Sequence, residues 1–448
     1  MHGVASSDLC GVGQVVFSPP VDVRWIKRPA RPSGDRQDEV VETVARIIHA
    51  IQMEGEPAIR QYSRQFDDWD PRHFRVSRAD VEAAYQAVNE EDVEAIRFVR
   101  DQVAAFARVQ RDALREVRVE PVPGIVLGHR LVPVNSVGCY VPGGNFPLIA
   151  SVLMQLVTAR EAGVSRVVAV APPRGNAMSP ATLVAIDLCE ADEIFCLGGI
   201  QAMAALAFGF GELEPVDMIT GPGNPYVAEA KRQLFGVVGI DLLAGPTEIL
   251  VIADETADPE IVAADLLAQA EHGSTSPAHL VTTYAPLAEA VLESVEAQLT
   301  ELPTAHTAGA AWEALGAIAL VGSREDAVAY SDGFAPEHLE VITTDLDWYA
   351  SRLRNYGSLF LGEEATVAYS DKAIGTNHTL PTGRAARYTG GLWVGKFIKV
   401  VTYQQLTREG SNYIAPHASR ISRLEGMIGH ALSGERRLDK YGGRARSC

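Results

Sequence analysis

Short apolar runs that end in glycine-bearing turns and hand over to helical stretches constrain this chain most. SVGCYV (136–141), RVVAVAPP (166–173), DEIFCLGG (192–199) and VDMITG (216–221) read as strands, with helical spacing over 147–163, 180–190, 200–209 and 225–235. A second series follows: EILVIA (248–253), AHLVTTY (278–284), AIALVG (317–322), LEVIT (339–343) and SLFLG (358–362), again with helices between. Such alternation implies a parallel sheet wrapped by helices, and two α/β units are the economical arrangement. Residues 38–66 and 79–118 are helical in pattern, and the tail is polar and helical, able to reach onto a neighbour. The expected divisions are an irregular arm (1–37), a helical segment (38–130), a first α/β domain (131–245), a second (246–402) and a helical tail (403–448).

The bulk properties exclude several classes. A chain of 448 residues has room for two or three domains. Its 47% hydrophobic and 21% charged content suits a soluble globular protein. A net charge of −18 argues against non-specific nucleic-acid binding. FPLIASVLMQLV (146–157) is too short to span a membrane, and residues 1–35 hold no basic-then-apolar signal segment. Cys10, Cys139, Cys189, Cys196 and Cys448 are scattered, with no C-x-x-C pair. That usage fits a reducing cytoplasm and excludes a thiolate zinc site.

Chemistry gathers at a few stretches. YVPGGN (140–145), LGGIQA (197–202) and TGPGNPYV (220–227) are glycine turns next to strand-type runs, where backbone N–H groups can meet phosphate. GVGQVV (11–16) lacks that setting, and none is the G-x-G-x-x-G fingerprint, so each also reads as a plain tight turn. In AQAEHG (268–273), a helix started by Asp258 and Pro259 presents Gln269 and His272 on one face of its last turn. Gly273 is suited to closing that helix in the left-handed conformation. His272 then either caps the helix or joins Gln269 on a metal. Glu337 and His338 in FAPEHLE suit general acid–base work, or form a surface Glu beside a packing His. SDKAIGTNHTLPTG offers Asp371 as a metal ligand and His378 as a substrate contact, unless it is merely a polar loop. Glu425 and His430 in LEGMIGHA do not share a helix face, and His417 reads as structural or as an extra ligand.

SVGCYVPGG, GGIQAMAALAFG, TGPGNPYVAEAKR, GIDLLAGPTEILVIAD, LLAQAEHG, APEHLE, GTNHTLPTG and EGMIGHA resemble, in order, the histidinol dehydrogenase family, over about residues 38–435. The resemblance implies an NAD-dependent zinc enzyme that oxidises a primary alcohol through an aldehyde to a carboxylate with two NAD. It also implies a homodimer of two Rossmann-like domains whose C-terminal segment crosses to the partner. Carried over by motif, Gln269, His272, Asp371 and His430 are the zinc ligands, His430 serving the other subunit. The set holds nitrogen and oxygen donors without thiolate, which zinc accepts. Glu337 and His338 become the catalytic pair, Thr247, His378 and Glu425 substrate contacts, and Tyr140, Gln201 and Asn224 NAD contacts.

Departures from the family pattern bear on substrate. TVAYSDK stands where P-E-S-x-G-D-Y is usual, so Val367 replaces a carboxylate and Lys372 follows Asp371. Arg384 stands where glycine is usual, and Lys396 where aspartate is common. Fewer carboxylates and more cations suit an anionic substrate better than the ammonium-bearing histidinol. GLWVGKFIK, VTYQQLT and the ending EGMIGHA…RLDKY resemble the sulfopropanediol dehydrogenase branch, which implies oxidation of 2,3-dihydroxypropane-1-sulfonate to sulfolactate. The rivals are the same chemistry on L-histidinol, a zinc hydrolase using Glu337, and a non-catalytic NAD-binding protein.

Overall fold

The computed structural model describes residues 17–30, 37–143 and 147–441. The GVGQVV turn, Cys10, Cys448 and part of YVPGGN lie outside the described residues. The chain divides into two compact units, the first built from residues up to Arg108 and Asn135–Val394, the second from Val109–Val134 and the chain from Gly395 onward.

The first unit holds two α/β sheets, as the alternation predicts. One has five parallel strands in the spatial order Glu193–Cys196, Arg166–Ala171, Ser136–Tyr140, Met218–Thr220 and Gly239–Ile240. The other runs Arg24–Lys27, Ala317–Leu320, Ala278–Thr282, Ile249–Ala253, His338–Ile342 and Ser358–Leu361, parallel except for its first strand. Counted along the chain within each parallel set, both sheets have the order 3-2-1-4-5, the Rossmann order short of its sixth strand. The two sheets thus repeat one topology.

Helices cover both faces of each sheet. Gly199–Phe208 and Pro225–Leu234 pack on the first sheet together with Gln37–Glu54 and Glu56–Asp67. The N-terminal helices therefore complete the first α/β layer rather than standing apart. On the second sheet, Pro259–Ala270, Ala285–Leu299 and Ala305–Leu315 cover one face, and Arg324–Phe334 the other. Strands such as Ile249–Ala253 are buried along their length, which is why they read as continuous apolar runs.

Three sequence expectations need correction. Within the arm read as irregular, Arg24–Lys27 forms an edge strand, antiparallel to Ala317–Leu320, with Trp25 against the core. The helix expected to reach 118 ends at Asp112. Beyond it, Val117–Val122 and Ile125–Pro133 are strands, joined by Ile398–Leu406 into an antiparallel sheet in the second unit. That sheet is hard to read because every described residue of Val117–Val122 is exposed or half-exposed and Pro121 interrupts the pattern. The second unit also carries Arg408–Leu424 and Ile428–Tyr441, which pack together and tie Arg423 to Glu435 by two 2.9 Å bonds. Among the described residues no helix is long and apolar enough to cross a membrane.

The turn after Thr220 is locked from below. Lys231 donates to the Gly221 carbonyl at 2.8 Å and pairs with Asp241, whose other oxygen accepts the Gly221 amide at 2.8 Å. Both charged groups are buried, so each needs the other. Gly221 has φ +122, and a Cβ there would collide with the Tyr140 carbonyl and sit 2.8 Å from Gln155 Oε1. Gly221→Ala should therefore destabilise the fold by about 3 kcal/mol; urea denaturation checks this, and an unchanged midpoint would disprove the constraint.

Candidate active site

The N-terminal edge of the second sheet gathers most of the residues singled out above. Parallel pairing sets His338 opposite Ile249, so the residues just before the two strands meet. Glu337 Oε2 accepts the Thr247 hydroxyl at 2.5 Å and the Glu248 amide at 3.0 Å. Gln269 Nε2 donates to the same Thr247 oxygen at 2.7 Å. A helix that follows a parallel strand runs back toward the strand's start, and this return brings Gln269 to the site.

The turn after Ala270 differs from expectation. Gly273 is not left-handed; instead His272 donates its amide to Gln269 and Gly273 to Ala270, tightening the last turn to three-residue spacing. Residues three apart then nearly eclipse, so Gln269 and His272 face the same side. The start is as read: Asp258 caps the helix through the Glu260 amide at 2.8 Å, with Pro259 in its first turn.

Asp371 lies in the short helix Val367–Lys372 and is the hub of the cluster. His272 Nε2 is 3.9 Å from one carboxylate oxygen; His338 Nε2 and His378 Nδ1 are 4.0 and 3.9 Å from the other. The Lys372 ammonium is 3.6 Å from Asp371. Burial pushes Asp371 toward the neutral form, but the surrounding imidazoles and Lys372 outweigh it and hold its pKa below the ordinary value.

Hydrogen bonding assigns the imidazole protons. His338 Nδ1 lies 3.1 Å from the Glu248 carbonyl, which can only accept, so Nδ1 carries the proton and Nε2 the lone pair. Nε2 is buried without a partner. Burial, offset in part by Asp371, lowers the His338 pKa to about 4, so the ring is neutral at pH 7. By the same logic His378 donates through Nδ1 to the Asp371 carbonyl at 2.9 Å and accepts at Nε2 from Ser151, 3.0 Å away. Ser151 belongs to a helix of the first sheet's layer, so His378 stitches the two α/β layers. The His272 pKa is lowered, by desolvation first, although 39% of its side chain is exposed.

Glu248 is a site residue that sequence reading missed. It is 7% exposed, accepts the Gly383 amide at 3.0 Å, and burial lifts its pKa to about 8. Its position just before ILVIA resembles an ordinary polar strand start, so only its partner Glu337 reveals it. Glu337 too is pushed well above the ordinary carboxyl range, by burial first and then by Glu248 and Asp371. Buried carboxyls crowded among neutral imidazoles make a site that gains from a bound cation.

The donor set fits zinc. Gln269 Oε1 is buried with no hydrogen bond, and it stands on the same side of the turn as His272, beside Asp371. Among the described residues no three His, Cys, Asp or Glu groups form a ready-made cage. His430 and Glu425 belong to the second unit, where both are exposed, as is His417. Thr247 contacts Glu337 and Gln269 directly.

The residues expected at NAD lie at the C-terminal edge of the first sheet. The Tyr140 hydroxyl accepts the Gly199 amide at 3.2 Å. Gln201 donates to Asp67 at 2.8 Å while its Oε1 is buried and unpartnered. Asn224 caps Pro225–Leu234 through the Tyr226 and Val227 amides at 3.0 and 3.1 Å. Strands Ser136–Tyr140 and Met218–Thr220 flank the point where strand order reverses, the usual place for a dinucleotide. At the matching position of the second sheet, Asp254 accepts the Thr256 and Thr344 amides at 3.0 and 2.8 Å.

Comparison with known proteins identifies the family and the fold. Residues 30–438 match the Histidinol dehydrogenase family. The chain is similar to a histidinol dehydrogenase homolog of Shouchella clausii, 52% identical over 91% of this chain and 96% of that one. It is 46% identical to a sulfopropanediol 3-dehydrogenase of Ruegeria pomeroyi, over 94% and 97% of the two chains. A crystal structure of histidinol dehydrogenase from Elizabethkingia anophelis superposes with a TM-score of 0.86 at 36% identity, covering 94% of this chain and 96% of that one.

Glu248 supplies a pH test. In the folded chain it stays protonated to about pH 8; unfolded, it ionises above its ordinary value of 4.5. The stability tied to its neutral form is whole below 4.5 and is lost as pH rises through about 8. Glu248→Gln does not titrate, so it should gain on the native protein across that window, by on the order of 1–3 kcal/mol at its top. Urea midpoints across the window check this; a constant offset between the two proteins would contradict it.

Proposed function

We propose a specific reaction for this chain, which belongs to the histidinol dehydrogenase family. That family carries out an NAD-dependent four-electron oxidation of an alcohol to an acid, and it uses zinc. The reaction is oxidation of a small anionic diol, 2,3-dihydroxypropane-1-sulfonate, to sulfolactate with two NAD. His338 accepts the alcohol proton at Nε2 as hydride leaves carbon for the first NAD. Glu337 takes a proton from the water that attacks the aldehyde, and the hydrate gives up the second hydride and another proton. Gln269, His272 and Asp371 hold zinc, with His430 of a second copy as the fourth ligand. When bound, the metal polarises the substrate's oxygen groups and lowers the proton affinity of nearby carboxyls. Thr247 and His378 meet the substrate from this chain and Glu425 from the second copy; Tyr140, Gln201 and Asn224 frame the NAD site.

The observation that carries the substrate reading is Arg384. It has φ +69, a left-handed conformation that costs a non-glycine residue about 1 kcal/mol, and its Nε is buried with no hydrogen bond. It follows Gly383, whose amide is bound to Glu248 beside Glu337. A guanidinium kept at such cost beside the catalytic edge suits an anion. Lys372 adds a second cation next to Asp371. Val367 does not contribute, because it is buried in the core of the second sheet and removes no charge from the site. Lys396 belongs to the second unit and carries none of this argument. L-Histidinol is the second reading, kept by the retained Glu425 and His378 and by the full ligand set Gln269, His272, Asp371 and His430.

The homodimer reading rests on the second unit's helices. Tyr413, Ile414, Ile421, Leu424, Met427 and Ile428 are exposed there, an apolar surface of the kind that partners cover.

Two experiments test these assignments. Zinc-replete protein should form two NADH per sulfonate consumed and little with L-histidinol, and Arg384→Gly should raise the sulfonate KM about 10- to 100-fold. Turnover of histidinol alone, or an unchanged sulfonate KM, would overturn the anionic-substrate reading. His430→Ala should lower bound zinc, measured by atomic absorption, whereas His417→Ala should not; the reverse result would reassign the fourth ligand.

A further inference from the structure

Glu340 breaks an otherwise apolar strand. His338–Ile342 is paired on both sides and buried along its length, and Glu340 is 0% exposed. Strand alternation puts Glu340 on the same face as His338, about 6–7 Å deeper. Its Oε1 accepts the amide of Val367, the first residue of the helix that carries Asp371, at 3.1 Å. Its Oε2 is buried and finds no hydrogen-bond donor in place.

Asp265 stands against it. It lies one turn before Gln269 on the same helix, and its carboxylate accepts the Thr366 hydroxyl at 2.8 Å. Thr366 in turn caps the Asp371 helix. Burial raises the proton affinity of both carboxyls; Asp265 raises that of Glu340 further, whereas the hydrogen bond with Glu340 lowers that of Asp265, so the proton belongs on Glu340. Two facing carboxyls at this depth cannot both carry charge, so one proton must lie between them.

The geometry is a second tier. Glu340 lies one strand step beneath His338, Asp265 one helical turn beneath Gln269, and Val367 one turn beneath Asp371. Three elements that each contribute one residue to the site are thus tied together directly below it. We propose that Glu340 and Asp265 are positioning residues, a carboxyl pair sharing one proton that sets Gln269, His338 and Asp371 in their mutual geometry. The inference concerns the zinc and acid–base site and rests on that reading of it.

The test compares Glu340→Gln, Glu340→Leu and the double variant Glu340→Leu/Asp265→Leu in the full-length protein. A glutamine can still accept the Val367 amide and can donate to Asp265, so Glu340→Gln should match the native protein within about threefold in all readouts. Glu340→Leu strands Asp265 and frees the Asp371 helix. It should weaken zinc retention against a chelator by about 10- to 100-fold and lower kcat by a similar factor, with the KM for NAD unchanged. The double variant guards against mere unfolding: with both carboxyls gone its melting temperature should recover, while zinc retention and kcat stay low. Hydrogen exchange on metal-free protein reads the device without zinc or turnover: amides of 367–372 should exchange faster in Glu340→Leu and in the double variant, and not in Glu340→Gln. Native protein that binds no zinc would overturn the metal assignment, and the exchange comparison would still decide the present inference. Equal exchange in all variants, a Glu340→Gln as damaged as Glu340→Leu, or a double variant with native zinc retention would overturn it.

Discussion

Parallel pairing holds His338 level with Ile249, and this register decides which groups face the buried Glu337 carboxyl. Because the strands start together, the segment before one lies against the segment before the other. The Glu248 amide and the Thr247 hydroxyl thereby reach Glu337, and the Glu248 carbonyl receives both the His338 amide and its Nδ1 proton. A slip of one residue would turn His338 to the opposite face and leave Glu337 buried without donors. The tautomer follows from the same contact: the Glu248 carbonyl takes the Nδ1 proton and leaves the lone pair of His338 on the buried, unpartnered Nε2.

The two sheets divide the labour although they share one topology. In the first, the crevice at the C-terminal edge is framed by Tyr140, the locked turn at Gly221 and the cap at Asn224. In the second, Asp254 hydrogen-bonds Thr256 and Thr344 at the equivalent position, and the cluster of buried carboxyls and imidazoles lies at the opposite edge. Helices returning from each strand deliver their C-terminal ends to that edge, which is why Gln269 and His272 arrive there. His378 bridges to Ser151, so the first layer meets the catalytic edge at a defined point.

Electrostatics gives the site its appetite for cations. Glu337, Glu248 and Asp371 crowd into a poorly solvated space with imidazoles that burial keeps neutral. Water would normally solvate such groups; here burial withholds it, and Glu337 and Glu248 respond with raised proton affinity. Lys372 lies 3.6 Å from Asp371 in this cluster, and Arg384 follows Gly383, whose amide is bound to Glu248.

Much of this was legible in advance. The α/β alternation, most strands of both sheets and the Asp258–Pro259 helix start are local properties of hydrophobic pattern and turn chemistry, and they appear where the sequence puts them. Ordered motifs sufficed to nominate Gln269, His272, Glu337, His338, Asp371 and His378, which the fold brings to one edge. The edge strand Arg24–Lys27 and the antiparallel sheet at 117–133 and 398–406 were not legible, because exposed strands lack an apolar face to announce them. Glu248, Glu340 and Asp265 were invisible for a different reason. A carboxyl group's role is set by what surrounds it, and the partners lie up to 101 residues away in the chain: Glu248 with Glu337, Asp265 with Thr366, Glu340 with Val367. The sequence alone determined the layered architecture and the chemical types available; only the tertiary structure decided which acids lose their water, and desolvation is what lifts the proton affinity of an otherwise ordinary glutamate.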